Sequence, residues 1–370
     1  MHNTNRYTQK LEELKSQGNF RFLRTAIPEN CINLSSNDYL GLCADAELYD
    51  EFLDEISIHS YPFSAASSRL LTGNCSEYGE LEELLCRLFQ RAAALVFNSG
   101  YHANCGILPA LAGKNDLIVA DKLVHASIID GIRLAQADFE RFRHADYEHL
   151  ERILQEKRET YEQIFIVSES IFSMDGDCAD LKKLVELKQK YNCLLYIDEA
   201  HAFGVRGAQG LGVAEEQGVI ADIDLLVATF GKAIASMGAF VVCSEIVRSY
   251  LINHARTLIF TTALPPVNIA WTTFILNQLP YLHQRRNHLQ KVSEECAKLL
   301  HAPFQSHIIP YIIGSNEKAI ACAETLQQKG FFVLPIRYPT VPKNTARLRF
   351  SLHSNLHIND IQNLVNSLTP

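Results

Sequence analysis

Five short apolar runs in this chain each end on side chains that can do chemistry. Cys193 to Ile197 is followed by Asp198-Glu199-Ala200-His201, and Leu225 to Ala228 by Thr229-Phe230-Gly231-Lys232. Ala94 to Phe97 leads into Asn98-Ser99-Gly100-Tyr101-His102, and Ile118 to Ala120 into Asp121-Lys122-Leu123-Val124-His125. Ile164 to Val167 leads into Ser168-Glu169-Ser170 and on to Ser173. A lysine placed after a buried strand and beside a glycine can lose water, which lowers its pKa and makes the neutral amine a nucleophile or imine former. Lys232 is so placed, although on its own it reads as a surface lysine. Asp198 alone reads as a helix cap, and His125 and His201, two of 14 histidines, as ordinary polar residues. The turn Ser99-Gly100-Tyr101 opens a helical pattern whose free N–H groups suit a phosphate, with Thr229 and Ser173 as further hydroxyl donors. Convergence carries the argument, since each group singly is weak.

Convergence requires elements that bring these ends together. From about Glu77 to Ser244, short Val, Ile and Leu runs alternate with stretches of helical period, the pattern of a mostly parallel, doubly wound α/β sheet. Seven strands are expected: Ala94 to Phe97, Asp116 to Ala120, Asp138 to Phe142, Gln163 to Ser168, Cys193 to Asp198, Leu225 to Thr229 and Ala239 to Cys243. Most read as buried on both faces. In such sheets ligands bind beyond the carboxyl ends of the strands, which is where the reactive groups stand. Asp180 is placed to cap a helix carrying Leu181, Leu184, Val185 and Leu187. After Pro265-Pro266 a long helical region to about Leu300 precedes short strands near Ile308 to Ile313, Phe331 to Pro335 and Ala346 to Ser351, with a final helix after Asn359. The expected division is 1–45, an N-terminal helix and extended arm; 46–265, a large domain; and 266–370, a small α+β domain.

The 370 residues carry a net charge of -8, which gives no general attraction to nucleic acid or to an anionic membrane. Apolar residues make up 47% and never form a run long enough to span a bilayer. The ten scattered cysteines form no CxxC pair and several lie in apolar runs, so reduced thiols and a cytoplasmic location are expected. The letters DEAH occur without the GxxxxGK[ST] loop of an ATP-dependent helicase. Gly204, Gly207, Gly210 and Gly212 do not spell the dinucleotide fingerprint. HExxH, GxSxG and a cysteine and histidine ladder are all missing, and no metal is expected.

One cofactor uses every group singled out: pyridoxal 5′-phosphate (PLP), with a lysine for its aldehyde, a carboxylate for its ring nitrogen and a helix start for its phosphate. At this point the chain resembles the α-oxoamine synthase family of fold-type-I PLP enzymes. The segments are SSNDYLGL (35–42), SRLLTGN (68–74), FNSGYHAN (97–104), DKLVHASIIDG (121–131), ESIFSMDGD (169–177), DEAHAFGVRG (198–207), TFGKA (229–233), and PTVP followed by TARLR. The resemblance runs from about Leu11 to the C-terminus and implies a fold-type-I transferase whose 46–265 domain binds PLP. It implies Lys232 as imine former and Cα-proton base, Asp198 as partner of the pyridine nitrogen, His125 stacked on the ring and His201 bonded to the ring oxygen. Gly100, Tyr101, Ser173 and Thr229 would surround phosphate and ring, joined by Thr262 from the partner subunit of a homodimer. Arg337 would clamp the amino-acid carboxylate, and Thr340 would line the same pocket. Arg21 is a candidate for the far end of the acyl chain, against the reading of a solvated helix arginine.

The implied reaction is a decarboxylative condensation of an amino acid with an acyl thioester. The segment PIRYPTVP (335–342) with TARLR (345–349) most resembles the member that joins L-alanine to a pimeloyl thioester, on coenzyme A or a carrier protein, in biotin biosynthesis. Tyr338, where that member often has proline, resembles the glycine-using relatives such as glycine C-acetyltransferase. Ser64-Ala65-Ala66-Ser67-Ser68 replaces a run that is usually glycine-rich. A PLP-holding regulatory protein without turnover is the reading of another class, and Lys232, Asp198, His125 and Arg337 together argue against it.

Overall fold

The computed structural model describes residues 4–23, 26–58 and 61–368, so residues 1–3, 24 and 25 of the expected N-terminal arm lie outside the described part. The chain divides into two compact units. One comprises the chain up to Asn37, Met174–Gly176 and everything from His288 onward; the other comprises Asp38–Ser173 and Asp177–Asn287.

The first helix, α1 (Asn5–Ser16), and the short strand β1 (Ile32–Asn33) belong to the smaller unit. The larger unit then runs through α2 (Ala46–Ile58), α3 (Ser76–Phe89), β2 (Ala93–Phe97), α4 (Gly100–Leu111), β3 (Asp116–Asp121), α5 (Ala126–Leu134), β4 (Asp138–Phe142), α6 (Tyr147–Lys157), β5 (Gln163–Glu169), α7 (Leu181–Tyr191), β6 (Leu194–Asp198), β7 (Leu225–Thr229) and β8 (Ala239–Cys243). These strands form a seven-stranded sheet in the order β2-β8-β7-β6-β5-β3-β4. Only β8 runs against its neighbours, pairing antiparallel with β2 and β7. Because β2 and β7 both oppose β8, they point the same way, and the carboxyl ends of β2, β3, β5, β6 and β7 share one edge. The runs AALVF, LLVAT and AFVVC are buried at every position, as a sheet covered on both faces demands. The strand β4, DFERF, is the exception. It closes the sheet at one margin, and its exposed charges discourage further pairing.

In the smaller unit β9 (Ile308–Gly314), β11 (Pro335–Ile336) and β12 (Ala346–Ser351) form an antiparallel sheet in the order β11-β12-β9. The run Phe331 to Pro335, expected as one strand, is split. Its first part, β10 (Phe331–Phe332), pairs parallel with β1, and only the second joins β12. Hydrophobic pattern marks such a run as extended but does not say where it changes partners. The helical region after Pro265 is likewise broken, by a 3-10 turn at Leu279–Leu282 containing Pro280, which has no N–H to give a continuing helix. No helix of the described residues is long and apolar enough to cross a membrane, and all ten cysteines are free.

Candidate active site

The larger unit gathers Lys232, His201, Asp198, His125, Gly100 and Thr229 at the shared strand edge. At the end of β7, Thr229 is buried; its hydroxyl donates to the Gly238 carbonyl (2.9 Å) and accepts from the Gly231 N–H (3.1 Å). That pair of bonds sets the turn carrying Lys232. The half-buried lysine brings Nζ to 2.8 Å from His201 Nε2, while His201 Nδ1 lies 2.7 Å from the Tyr39 hydroxyl. Both ring nitrogens of a buried histidine are therefore engaged, one by the amine. With Lys232 charged, Nε2 accepts and the ring proton sits on Nδ1.

Asp198 ends β6 and is 6% exposed. Its oxygens accept from Asn104 Nδ2 and from the Ala200 N–H, each at 2.9 Å. It takes part in no ion pair among the described residues. A carboxylate buried without a cation is costly unless something cationic is supplied, and a protonated pyridine nitrogen fits that need. Next to it in register stands Glu169, fully buried, which accepts from the His125 backbone N–H. Burial, reinforced by the Asp198 charge, raises the Glu169 pKa well above the carboxylate range.

His125 is an exposed residue at the N-cap of α5, and its Nδ1 meets Ser127 Oγ at 2.7 Å. Desolvation pushes its pKa down, Asp198 opposes this, and Lys232 adds to it. Ser99 caps α4 by accepting from the His102 N–H, leaving the Gly100 and Tyr101 amides in the first turn, where a helix has no internal partners for them. A side chain at Gly100 would point at Thr229, 3.7 Å away, so the helix start and the Thr229 turn face each other. The lysine, the buried acid and this cradle are what PLP requires at its aldehyde, its ring nitrogen and its phosphate.

Three sequence candidates of this unit stand apart. Tyr101 turns its hydroxyl toward Asp130 (2.9 Å), leaving its backbone as the useful part. Thr262 is exposed after Phe260, its carbonyl accepting from Asn98 at 2.6 Å. Ser173 is half-buried beyond the Ile171 and Cys178 bridge. That segment is tied down by His144, whose Nδ1 and Nε2 lie 2.9 Å from Asp121 and 2.7 Å from Asp177. Burial opposes its charge, but the two carboxylates prevail and raise its pKa to about 10.

Arg21, Arg337 and Thr340 lie in the smaller unit. Arg21 is not on a helix, since α1 ends at Ser16; it lines a cavity of about 550 Å³ with Lys15, Phe20, Ile320, Val333 and Arg337. Burial and the facing Arg21 charge both lower the Arg337 pKa, and Arg337 donates to the Gly18 carbonyl. Two guanidiniums on one cavity suit an anion. Thr340 is exposed on the adjoining turn, its N–H donating to the Arg337 carbonyl (2.9 Å).

Sequence reading passed over Tyr39, Asn104, Ser127 and His144. The first three lie inside the quoted segments SSNDYLGL, FNSGYHAN and DKLVHASIIDG, so their neighbours carried a signal; nothing marked His144.

Residues 29–368 match the aminotransferase class I and II family model. A relative from Pasteurella multocida, named for 8-amino-7-oxononanoate synthase, is 52% identical over 97% of this chain and 97% of its own length. The chain belongs to the α-oxoamine synthase family. Among solved structures, a serine palmitoyltransferase from S. paucimobilis with bound PLP–myriocin superimposes with a TM-score of 0.89, at 27% identity and over 99% of this chain and 96% of that one. The 8-amino-7-oxononanoate synthase of Francisella tularensis gives 0.76 at 30% identity, over 91% of this chain and 96% of that one. This α-oxoamine synthase is a PLP-dependent acyltransferase of fold type I.

Proposed function

We propose that the chain is an 8-amino-7-oxononanoate synthase, condensing L-alanine with a pimeloyl thioester to give 8-amino-7-oxononanoate, carbon dioxide and free thiol. The observation that carries the reading is the Lys232, His201 and Tyr39 chain beside buried Asp198, in a protein whose relatives bear that name.

PLP bound here supplies an electron sink for the charge that develops at the amino-acid Cα. Lys232 Nζ takes the Cα proton and returns it after carbon dioxide is lost; His201 Nε2 holds that amine while it is free and would bond the ring oxygen once the cofactor is seated. Asp198 would pair with the protonated ring nitrogen, and His125 would stack on the cofactor ring. Backbone N–H groups of Gly100 and Tyr101 would bind its phosphate, joined by the Ser173 hydroxyl and by the Thr229 hydroxyl once it turns from the Gly238 carbonyl. Arg337 grips the amino-acid carboxylate, a fork of donors against two oxygens. Arg21 receives the distal pimeloyl carboxylate, and Thr340 lines the same substrate pocket.

The working unit in this reading is a homodimer in which the partner's Thr262 reaches the phosphate. Support comes from Phe63, Leu71 and Phe260, which are 84, 78 and 69% exposed, too apolar to face water in a finished assembly. The Ala263 N–H to Ser67 carbonyl bond (2.9 Å) brings their segments side by side. Ten free cysteines fit a reducing cytoplasm.

The test is a substrate panel. Visible absorbance is followed as L-alanine, glycine or L-serine is added, and thiol release is measured with pimeloyl, acetyl, succinyl and palmitoyl thioesters. Alanine with pimeloyl is expected to give the highest kcat/KM. A preference for glycine with acetyl would replace the reading with glycine C-acetyltransferase, which Tyr338 would then explain.

A further inference from the structure

Asn104 is 2% exposed on α4, and the mechanism above gives it no task. Its side chain makes three hydrogen bonds: Nδ2 lies 2.9 Å from Asp198 Oδ2 and 2.9 Å from Ser127 Oγ, and Oδ1 lies 2.5 Å from the Tyr196 hydroxyl. The partners decide which end of the amide is which. An ionised carboxylate only accepts, so nitrogen faces Asp198. Tyr196 is fully buried, and its burial raises the phenol pKa, so it stays protonated and donates to Oδ1. Both amide hydrogens are then committed, one of them to Ser127 Oγ.

That commitment passes along the chain. With Ser127 Oγ accepting from Asn104, its own hydrogen is free for His125 Nδ1, 2.7 Å away. The Ser127 backbone N–H also points at Nδ1, at 3.2 Å. An imidazole nitrogen that accepts from two donors carries no proton, so the neutral ring holds its hydrogen on Nε2. The charged groups around this ring are Asp198, Lys232 and Asp130, and none of them lies on the Asn104 to Ser127 path to Nδ1.

We propose that Asn104 is a positioning residue for the cofactor site: it fixes the Asp198 carboxylate directly and, through Ser127, the Nε2–H tautomer of His125. One buried amide thereby orients both the group beneath the ring nitrogen and the group stacked on the ring face. The inference rests on the placement of PLP against Asp198 and His125 given above.

The experiment uses the holoenzyme labelled with ¹⁵N-histidine, the His125 ring signals being assigned by their loss in His125→Asn, together with PLP titration of the apoenzyme. Wild type is expected to show an unprotonated Nδ1 and a protonated Nε2. Ser127→Ala keeps the Asp198 contact and the backbone N–H at Nδ1, so PLP affinity should hold within about 3-fold while the His125 tautomers mix in part, with Nε2–H still the major form. Asn104→Ala should mix the tautomers and weaken PLP by about 10-fold or more, the size expected for losing a hydrogen bond to a charge. An Nδ1–H tautomer in wild type overturns the inference, as does Asn104→Ala with wild-type affinity and an unmixed Nε2–H ring. If Asn104→Ala fails to fold, Ser127→Ala decides alone, since a silent tautomer there breaks the relay. Asp198→Ala tests the cofactor placement separately. Were it to bind PLP as wild type does, that reading would fall, whereas loss of PLP there with a silent Asn104→Ala removes only the present inference.

Discussion

Lys232 and His201 are in contact, and in the proposed mechanism the first moves the proton while the second holds the amine in place. Lys232→Ala is expected to lower kcat by at least about 1000-fold, since the proton transfer at Cα then has no base, and to abolish the visible band of the holoenzyme. Activity retained within about 10-fold would exclude Lys232 as that base. Tyr39→Phe removes one hydrogen bond from His201 without touching the lysine. A loss of about 10-fold in kcat with PLP affinity unchanged is expected, the usual scale for one buried hydrogen bond. An unaltered kcat would show that Lys232 alone sets the His201 ring.

Elements carry these residues, and two contacts between elements can be broken separately. Gly131 on α5 packs so close to α4 that a Cβ there would lie 2.2 Å from the Asn104 carbonyl. Gly131→Ala should cost about 2 kcal/mol in chemical denaturation, because two helices must separate and a relaxed backbone shift recovers only part of that. A change under about 0.5 kcal/mol would show that α4 and α5 slide freely. The other contact is His144, which joins the loops after β3, β4 and β5 through Asp121 and Asp177. Its folded pKa, about 10, lies above the free-histidine value of 6.5. The folded state therefore binds the proton more tightly, and its contribution to stability is full below the unfolded pKa and is lost as pH rises through the folded one. Melting temperature should fall between these two pKa values by more in wild type than in His144→Gln, and parallel curves would refute the clamp.

At the scale of the whole molecule, the proposed homodimer would cover the exposed Phe63, Leu71 and Phe260. Leu71→Asp is expected to yield monomers in sedimentation velocity at micromolar protein and to weaken PLP binding, because the partner's Thr262 leaves with its subunit. A monomeric wild type that is fully active would overturn the dimer. Six of the seven strands were legible because each combines β-branched and apolar residues within bounds set by turns, while DFERF carries only its two phenylalanines; observed limits differ from the expected ones by one residue at most, as at Ala93 and Asp121. The split of Phe331 to Pro335 was not legible, since a parallel bridge to Ile32–Asn33 joins residues some 300 positions apart and leaves no local trace.

By itself the sequence determined that five strand ends bear a lysine, carboxylates, imidazoles, hydroxyls and a helix start, because strand and helix periods are local properties of the chain. It also carried the segments that mark the family. Only the tertiary structure decided which of those groups meet. Whether Lys232 is engaged by His201, whether Asp198 is held by Asn104, and on which nitrogen His125 keeps its proton all depend on atoms from α4, α5 and the Tyr39 segment arriving at one sheet edge. Hydrogen-bond direction in a buried network is set by the whole circuit of donors and acceptors, and no stretch of chain contains that circuit.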